Sequence, residues 1–496
     1  MRVWRRRVVT VAVAGLLLVG GCTAAPRGAP PVDPVAPMVG AAPVRVPLPA
    51  APRGWSAGRV LGVVWRGAPG AESAELGWLD ALSLRPRPGR RLSLGRYGAV
   101  WGVAPDGSLA VFGDGGDRDD GSVLVVDPRR LRRVGTVRLG RSWQSPFAAS
   151  WLGRSRVLLA GVGVTGGPEG DLATAVVSVV DLAAGRVVAR RRIVGEPLAA
   201  GRLPDGLVLL LGGAGSVGPA RLVVVDGDGG VRTVRLPAIA AGFLVPQDRG
   251  PAVGAVRWQP GLAVDPAGRR AFVVGREAPV AEVDLRGLRV RWHWLDRRPG
   301  LLGRLAGWLL PAAEAKSVHG PVRRAAWLGG GLLAVWGHDD SEPVVRGSVV
   351  EQWSRPAGLR VVDTRTWRAV TVHANAGAVA AAGGRLLAWG RLLGPPPSAD
   401  VNVPAVRAFG LTVFGPGDRR PLHLFGSRQV SWLQVSGGRA YVDLTPSSDW
   451  WVGGDVLAAD REVAVVDLGS GRVLAEWRGR MPALLVGGCC DGPVGG

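Results

Sequence analysis

Lysine is almost missing from this chain. Lys316 is the only one, so arginine supplies nearly all of the 61 Lys+Arg that, against 39 Asp+Glu, give a formal net charge of +22. These arginines are scattered over turns and strand faces. Outside the N-terminus they form no dense stripe, and no nucleic-acid-binding motif accompanies them, so no nucleic-acid partner is expected. The summed positive field still favours anionic lipid or a wall polyanion. Cysteine is scarce too, with only Cys22, Cys489 and Cys490, which excludes a disulfide framework and any paired-cysteine zinc site. There is no GxSxG elbow, no HExxH and no GxxxxGK[ST] phosphate loop. No catalytic residue, metal ligand or cofactor-binding residue is therefore assigned, and no cofactor is expected. Beyond the N-terminus no apolar run is long enough to span a bilayer.

What the chain does have is repetition. Ser122 to Leu139, SVLVVDPRRLRRVGTVRL, reads as a strand ending on Asp127, a polar turn and a second strand. The same unit recurs from Val177, Leu222, Val280, Leu359 and Val463, with weaker copies from Gly77 and Leu411. Eight copies at blade-sized spacing predict an all-β fold, a β-propeller of eight blades with seven the runner-up. Such a fold accommodates 496 residues because each unit packs only on its neighbours. Before most pairs stands a Gly- or Asp-bearing turn and an apolar strand. Examples are Pro105-Asp106-Gly107 before Leu109–Phe112, Asp265 to Gly268 before Ala271–Val274, and Gly329-Gly330-Gly331 before Leu332–Trp336. The closing aspartates Asp127, Asp181, Asp226 and Asp467 suit turns in which the carboxylate accepts from its own downstream amides. Most of the 20 Trp lie in strands or at their ends, where large rings fill the gap between twisted sheets. The first unit lacks an inner strand, and the C-terminal Leu484–Val486 is the segment available to complete it and close the ring.

The N-terminus sets the compartment. Arg2, Arg5, Arg6 and Arg7 precede an apolar Val8 to Val19, and then Val19-Gly20-Gly21-Cys22. The order is that of a signal segment, and the last four residues resemble a bacterial lipobox. The resemblance implies a signal peptide over residues 1–21, diacylation (palmitate) at Cys22 and anchorage on the extracytoplasmic face of the bacterial cell membrane. Two acyl chains hold stably where one does not. Residues 22–54 form a proline-rich tether; an extended polyproline conformation at about 3.1 Å per residue would carry thirty residues roughly 90 Å. The propeller is expected over residues 55–488, with an insertion at 297–324, and a Gly/Cys tail over 489–496. In that tail Cys489 and Cys490 could form a vicinal disulfide, remain free thiols, or pair between molecules.

AVDPAGRRAFVVG from Ala263 and VVDLGSGRVLAEW from Val465 resemble propeller repeats of the YVTN and quinoprotein-like (WD40-like) types. The quinoprotein-like pattern implies a docking Trp after a Gly-Arg pair. Trp477 fits it and Trp292 fits loosely.

Three stretches break the period. Leu301 to Leu310, LLGRLAGWLL, has helical apolar spacing and reads as a short helix, packed on a blade edge or touching lipid. Gly113 to Gly121 carries four aspartates without EF-hand spacing, which favours a solvated turn. His338-Asp339-Asp340 with Glu342 offers donor types without the spacing of a metal site. His293, between Trp292 and Trp294, is expected to face outward or to be a satisfied core residue.

The function that follows is an extracytoplasmic, membrane-anchored binding or scaffold propeller. Its expected partners are the membrane, through its lipid, and a protein or cell-wall glycan. The alternatives are a propeller enzyme (a lactonase-like hydrolase or a quinone-cofactor dehydrogenase) or a sensor lipoprotein. Propeller enzymes place acidic or His ligands where inner strands begin. The inner strands recognised here are apolar and Gly-rich, which favours binding over catalysis.

Overall fold

The computed structural model describes residues 58–486 except 67–72, 96, 114–120, 141–144, 168–169, 214–215, 245–255, 277–278, 296–319, 341–343, 347–348, 352–353, 383–384, 395–404, 415–420, 446–460 and 480–483. The described elements are all short strands, antiparallel within each sheet, and eight sheets of at least four strands make eight blades. From inside to outside, blade 2 is Ala99–Val103, Ala110–Gly113, Ser122–Asp127 and Arg132–Arg138. Blade 3 is Ser145–Leu152, Arg156–Gly167, Gly170–Asp181 and Arg186–Val194. The inner strands of blades 4 to 8 are Pro197–Leu203, Gly261–Val264, Gly320–Gly329, Ala378–Ala382 and Trp432–Ser436. All eight predicted strand pairs form the outer half of a blade.

Blade 1 has the expected composite origin. Leu484–Val486 lies antiparallel against Arg59–Arg66, with Leu61 opposite Val486 and Val63 opposite Leu484. It is the inner strand that the N-terminal part of the blade lacks. Outside it, Arg59–Arg66 pairs with Ser73–Asp80 and that with Pro86–Gly95. Two further contacts tie blade 8 to blade 1. The Tyr441 hydroxyl donates to the Ala81 carbonyl at 3.0 Å, and the Trp477 indole N–H donates to the Leu82 carbonyl at 3.1 Å. Trp477 thus docks on the neighbouring blade, as the repeat pattern predicts, whereas Trp292 is 36% exposed.

The protein has no single core. Its buried apolar residues fall into eight clusters, and each lies between two consecutive blades. Val60, Leu79 and Leu84 meet Tyr441 and Val465 where the ring closes. Between blades 5 and 6, Phe272 stacks on Trp327 at 5.3 Å and His293 stacks on Trp367 at 3.7 Å. His293 also bonds Glu282 at 2.8 Å, so it is a satisfied, partly buried residue. Burying these faces against one another supplies the ring's hydrophobic stabilisation, at roughly 25 cal/mol per Å² of apolar surface.

The turns that join the two outer strands share one device. Asp127 accepts from the amides of Arg129 and Arg130, and Asp181 from those of Ala183 and Ala184. Asp80, Asp226, Asp284, Asp363 and Asp467 do the same in their blades. These bonds favour the charged form and hold Asp80, Asp363 and Asp467 below the usual carboxylate range. Four residues after the aspartate the backbone is left-handed at Leu84, Leu131, Leu288, Trp367, Gly185 and Gly471. Glycine takes that conformation freely, but leucine is strained there by about 1–3 kcal/mol. Burial offsets the strain: Leu84 and Leu131 are only 3% and 2% exposed, packed in the inter-blade clusters.

The outermost strands are half-wetted and carry much of the arginine, as in Arg132–Arg138 (RRVGTVR) and Arg186–Val194 (RVVARRRIV). The large apolar residues exposed here, Val134 at 48% and Val194 at 51%, alternate with those charges. Charge on an unpaired edge discourages strand-to-strand association between molecules.

Candidate functional site

Antiparallel strands give the ring two unlike rims. One rim carries the turns between first and second strands and the Asp-bonded turns between third and fourth strands. Both ends of the described chain emerge there: Arg59 lies opposite Asp80, and Val486 opposite Leu61. The other rim carries the connections from the second strand to the third and from one blade to the next. In blades 6, 7 and 8 the second and third strands that meet this rim are separated in the sequence by 341–358, 395–404 and 444–460. Blade 6 places an extra hairpin there, Val344–Arg346 with Val349–Glu351, and Ser354–Pro356 pairs back onto His338–Asp340.

On this second rim, blades 4, 5 and 6 bring charged side chains to the starts of their inner strands. Gln259 organises the place. Its amide donates to the Pro321 carbonyl at 3.0 Å, its carbonyl accepts from the Arg323 amide at 2.6 Å, and its side-chain Nε2 donates to the Leu198 carbonyl at 2.8 Å. One residue thereby fastens three inner strands. Gly261 follows, and a Cβ on it would stand 2.6 Å from the Arg324 backbone. Only glycine lets the strands approach this closely.

Two groups of charges result. Within blade 6 Arg323 reaches Asp339 at 2.8 Å, and Arg276 reaches the same carboxylate at 3.4 Å across the gap between blades 5 and 6. Arg323 also donates to the His338 carbonyl at 2.9 Å. A small cleft beside them is lined by Trp258, Gln259, Arg276, Pro321 and Arg323. The second group is Glu196, immediately before the inner strand of blade 4, with Arg257 and Arg324. Burial pushes the Glu196 carboxyl up, and the positive charge of Arg257 pulls against it. Burial, and then the like charge of Arg257, bring the Arg324 guanidinium down to about 10. Among the described residues the side chains of these three make no hydrogen bond or ion pair.

A third polar group lies between blades 6 and 7. Asn375 donates its amide to His373 Nδ1 at 3.2 Å, so His373 carries its proton on Nε2 and donates it to Thr412 Oγ1 at 3.1 Å. The Thr412 hydroxyl is in turn hydrogen-bonded with His423 Nδ1 at 3.1 Å. Burial, with His423 nearby, pulls His373 down to about 4, so it is neutral at physiological pH.

The residues singled out in the sequence are placed as follows. Cys22, Cys489 and Cys490, the tether, Leu301 to Leu310 and residues 114–120 of the Asp-rich loop lie outside the described residues. Asp339 is held by two arginines rather than offered to a metal. Among the described residues there is no group of three or more His, Cys, Asp or Glu side chains able to hold a metal ion. No described helix is long and apolar enough to cross a membrane.

Two expectations need correction. The stretch 297–324 includes Gly320–Arg324, which begin the inner strand of blade 6 rather than lying in an insertion. The inner strands are accordingly not uniformly apolar, since they bear Arg202, Arg323 and Arg324. Arg202 is used structurally, donating to the Ala149 carbonyl of blade 3 at 3.1 Å. Counting back from the Gly329-Gly330-Gly331 hairpin would have exposed Arg323 and Arg324.

No protein-family model matches the chain, and no curated protein does. Solved structures do. The dihydro-heme d1 dehydrogenase NirN in complex with DHE is similar at a TM-score of 0.47 and 13% identity, over 89% of this chain and 78% of that one. BamB from Moraxella catarrhalis is similar at 0.37 and 14%, over 77% and 97%. The acylaminoacyl peptidase of Pyrococcus horikoshii is similar at 0.36 and 9%, over 79% and 60%. Likenesses this remote carry nothing about activity or partners.

Proposed function

We propose that this chain is an extracytoplasmic binding or scaffold propeller, held to the membrane by a lipid on Cys22. The observation that supports it is the polarity of the ring. Both chain ends leave on the tight-turn rim, so a tether running to the membrane attaches on that side. The rim with the long connections and the unpaired charges then points away from the lipid, toward a protein or cell-wall glycan partner. Rigid strands presenting variable connections at one end are the usual arrangement for a binding surface.

Two measurements test this. Wild-type protein should incorporate labelled palmitate and fractionate with the cell membrane, whereas Cys22→Ala should do neither. Equal labelling and fractionation of the two would overturn the anchor. Cysteines introduced singly at Ser216 and Asp228, both exposed and on opposite rims, should differ in labelling by an impermeant maleimide on intact cells, with Ser216 the more reactive. Equal labelling or the reverse order would overturn the orientation.

A further inference from the structure

We propose that the outer wall of blades 2 to 5 binds a linear polyanion, an acidic polymer of the cell surface laid along half of the ring. This surface is separate from the far rim. Only the choice of a cell-surface polymer as its occupant rests on the extracytoplasmic reading above.

Four consecutive blades carry charge of one sign on their outermost strands. These strands are Arg132–Arg138 (RRVGTVR), Arg186–Val194 (RVVARRRIV), Val231–Leu244, which opens VRTVRL, and Arg289–His293 (RVRWH). Together they bear eleven arginines and not one Asp or Glu. All eleven are exposed, and among the described residues none makes an ion pair. Carboxylates stand close by but are engaged elsewhere. Asp127 lies opposite Arg132, Asp181 opposite Arg186 and Asp284 opposite Arg289, yet each aspartate accepts from amides of its own turn. Glu282, opposite Arg291, is taken by His293 and Arg270.

The rest of the wall differs. In blade 1, Arg87 pairs with Asp80 at 3.0 Å and Arg91 with Glu75 at 3.8 Å. The outer strands of blades 6 to 8 hold only Arg368 and Arg478, with Glu476 among them. Guarding exposed edges asks for some charge on every blade; it does not ask for an uncompensated excess on one half of the ring.

The four strands also form one continuous surface. Arg190 of blade 3 donates to the Leu139 carbonyl at the end of the outer strand of blade 2. A Cβ on Gly229, in the turn before the outer strand of blade 4, would stand 3.0 Å from the Ala189 Cβ of blade 3. Arg232 of blade 4 donates to the Arg286 carbonyl, in the corresponding turn of blade 5, at 2.8 Å. Burial, and then the like charge of Arg192, lower the Arg190 guanidinium, a repulsion that a bound anion relieves. The wall of a ring is convex. A flat bilayer touches it along one line, whereas a flexible chain follows it across all four blades. Contacts that are weak one by one then add along a single polymer.

The test is binding of long-chain polyphosphate to the purified full chain carrying Cys22→Ala, so that no acyl chain contributes. Tripolyphosphate and phosphatidylglycerol vesicles are the comparison ligands. Long-chain polyphosphate should bind, and the binding should weaken steeply with added salt, because neutralising a polyanion releases its counterions. Arg192→Gln, Arg235→Gln and Arg291→Gln together should weaken it by about 10- to 100-fold. Arg368→Gln, Arg472→Gln and Arg478→Gln together remove as much charge from blades 6 and 8 and should leave it unchanged. Arg192→Lys, Arg235→Lys and Arg291→Lys together should keep most of the affinity; a loss equal to that of the glutamine variant would show that charge is not what binds, and would overturn the proposal. Absence of binding would overturn it too, as would equal weakening by the two glutamine triples or equal affinity for tripolyphosphate and the long chain. Vesicles bound as tightly as the long chain, with the same sensitivity to the blade 3 to 5 variant, would replace the polymer by a bilayer. The assay involves neither the lipid nor the rims, so its failure leaves the anchor and the orientation standing.

Discussion

The two rims of the ring are built by different physics. On the tight-turn rim the bends between third and fourth strands are finished within a few residues by a carboxylate accepting its own downstream amides, as at Asp127 and Asp181. On the opposite rim the decisive contacts are remote in sequence: Gln259 reaches Leu198 and Pro321, and Arg276 reaches Asp339. Local bonds make one rim repetitive and rigid, which frees the other rim to vary from blade to blade.

The harshest way to break this contrast is to open the ring. Removing Leu484 to Gly496 takes away the inner strand of blade 1 and exposes the edge of Arg59–Arg66. Thermal unfolding followed by circular dichroism should lose its cooperative transition or shift by well over 10 °C, since a single kcal/mol moves a melting temperature by only a few degrees in a protein this large. Next comes Leu131→Ala, which keeps the left-handed strain while emptying a buried site. Urea denaturation should show a loss of about 2–5 kcal/mol, and Leu131→Gly, which relieves the strain, should lose about as much or less.

The pH dependence separates the blades further. His373 is held neutral in the fold, with its value lowered to about 4 from the ordinary 6.5. The unfolded chain therefore binds the proton first, and stability is lost as pH falls from about 6.5 toward 4. Replacing His373 with Gln should flatten that limb, changing the loss by about 3 kcal/mol. Below that range the turn aspartates take over. Their folded values are depressed, so their contribution is present above the ordinary carboxylate range and disappears as pH falls through the folded values. Asp181→Ala should cost about 1 kcal/mol by removing two side-chain-to-amide bonds. The smallest effect is expected at Glu196. Glu196→Gln on the opposite rim should leave the urea midpoint unchanged or raise it, because a buried carboxylate without a bonded partner is itself unfavourable.

What the sequence revealed follows the same division. The Asp-closed strand pairs, the Gly-bearing hairpins and the closure by Leu484–Val486 were all legible, because turn chemistry is encoded within four or five neighbouring residues. Arg323 and Arg324 escaped notice. They stand after a long irregular stretch, and nothing local separates the end of that stretch from the start of a strand. Glu196, Arg257 and Arg324 lie far apart in the chain, and only the ring places them together. The left-handed leucines were equally hidden. Glycine announces such a bend, as at Gly185 and Gly471, but Leu131 adopts it only because a neighbouring blade receives its side chain.

The strand Arg59–Arg66 starts at the tight-turn rim and is zipped on both flanks, to Ser73–Asp80 and to Leu484–Val486. Tension applied through the preceding residues would act lengthwise along it. Rungs loaded in parallel yield together, whereas a peeled strand gives way one rung at a time. A pull on the residues before Arg59 would therefore meet the ring where its pairing is arranged to fail last.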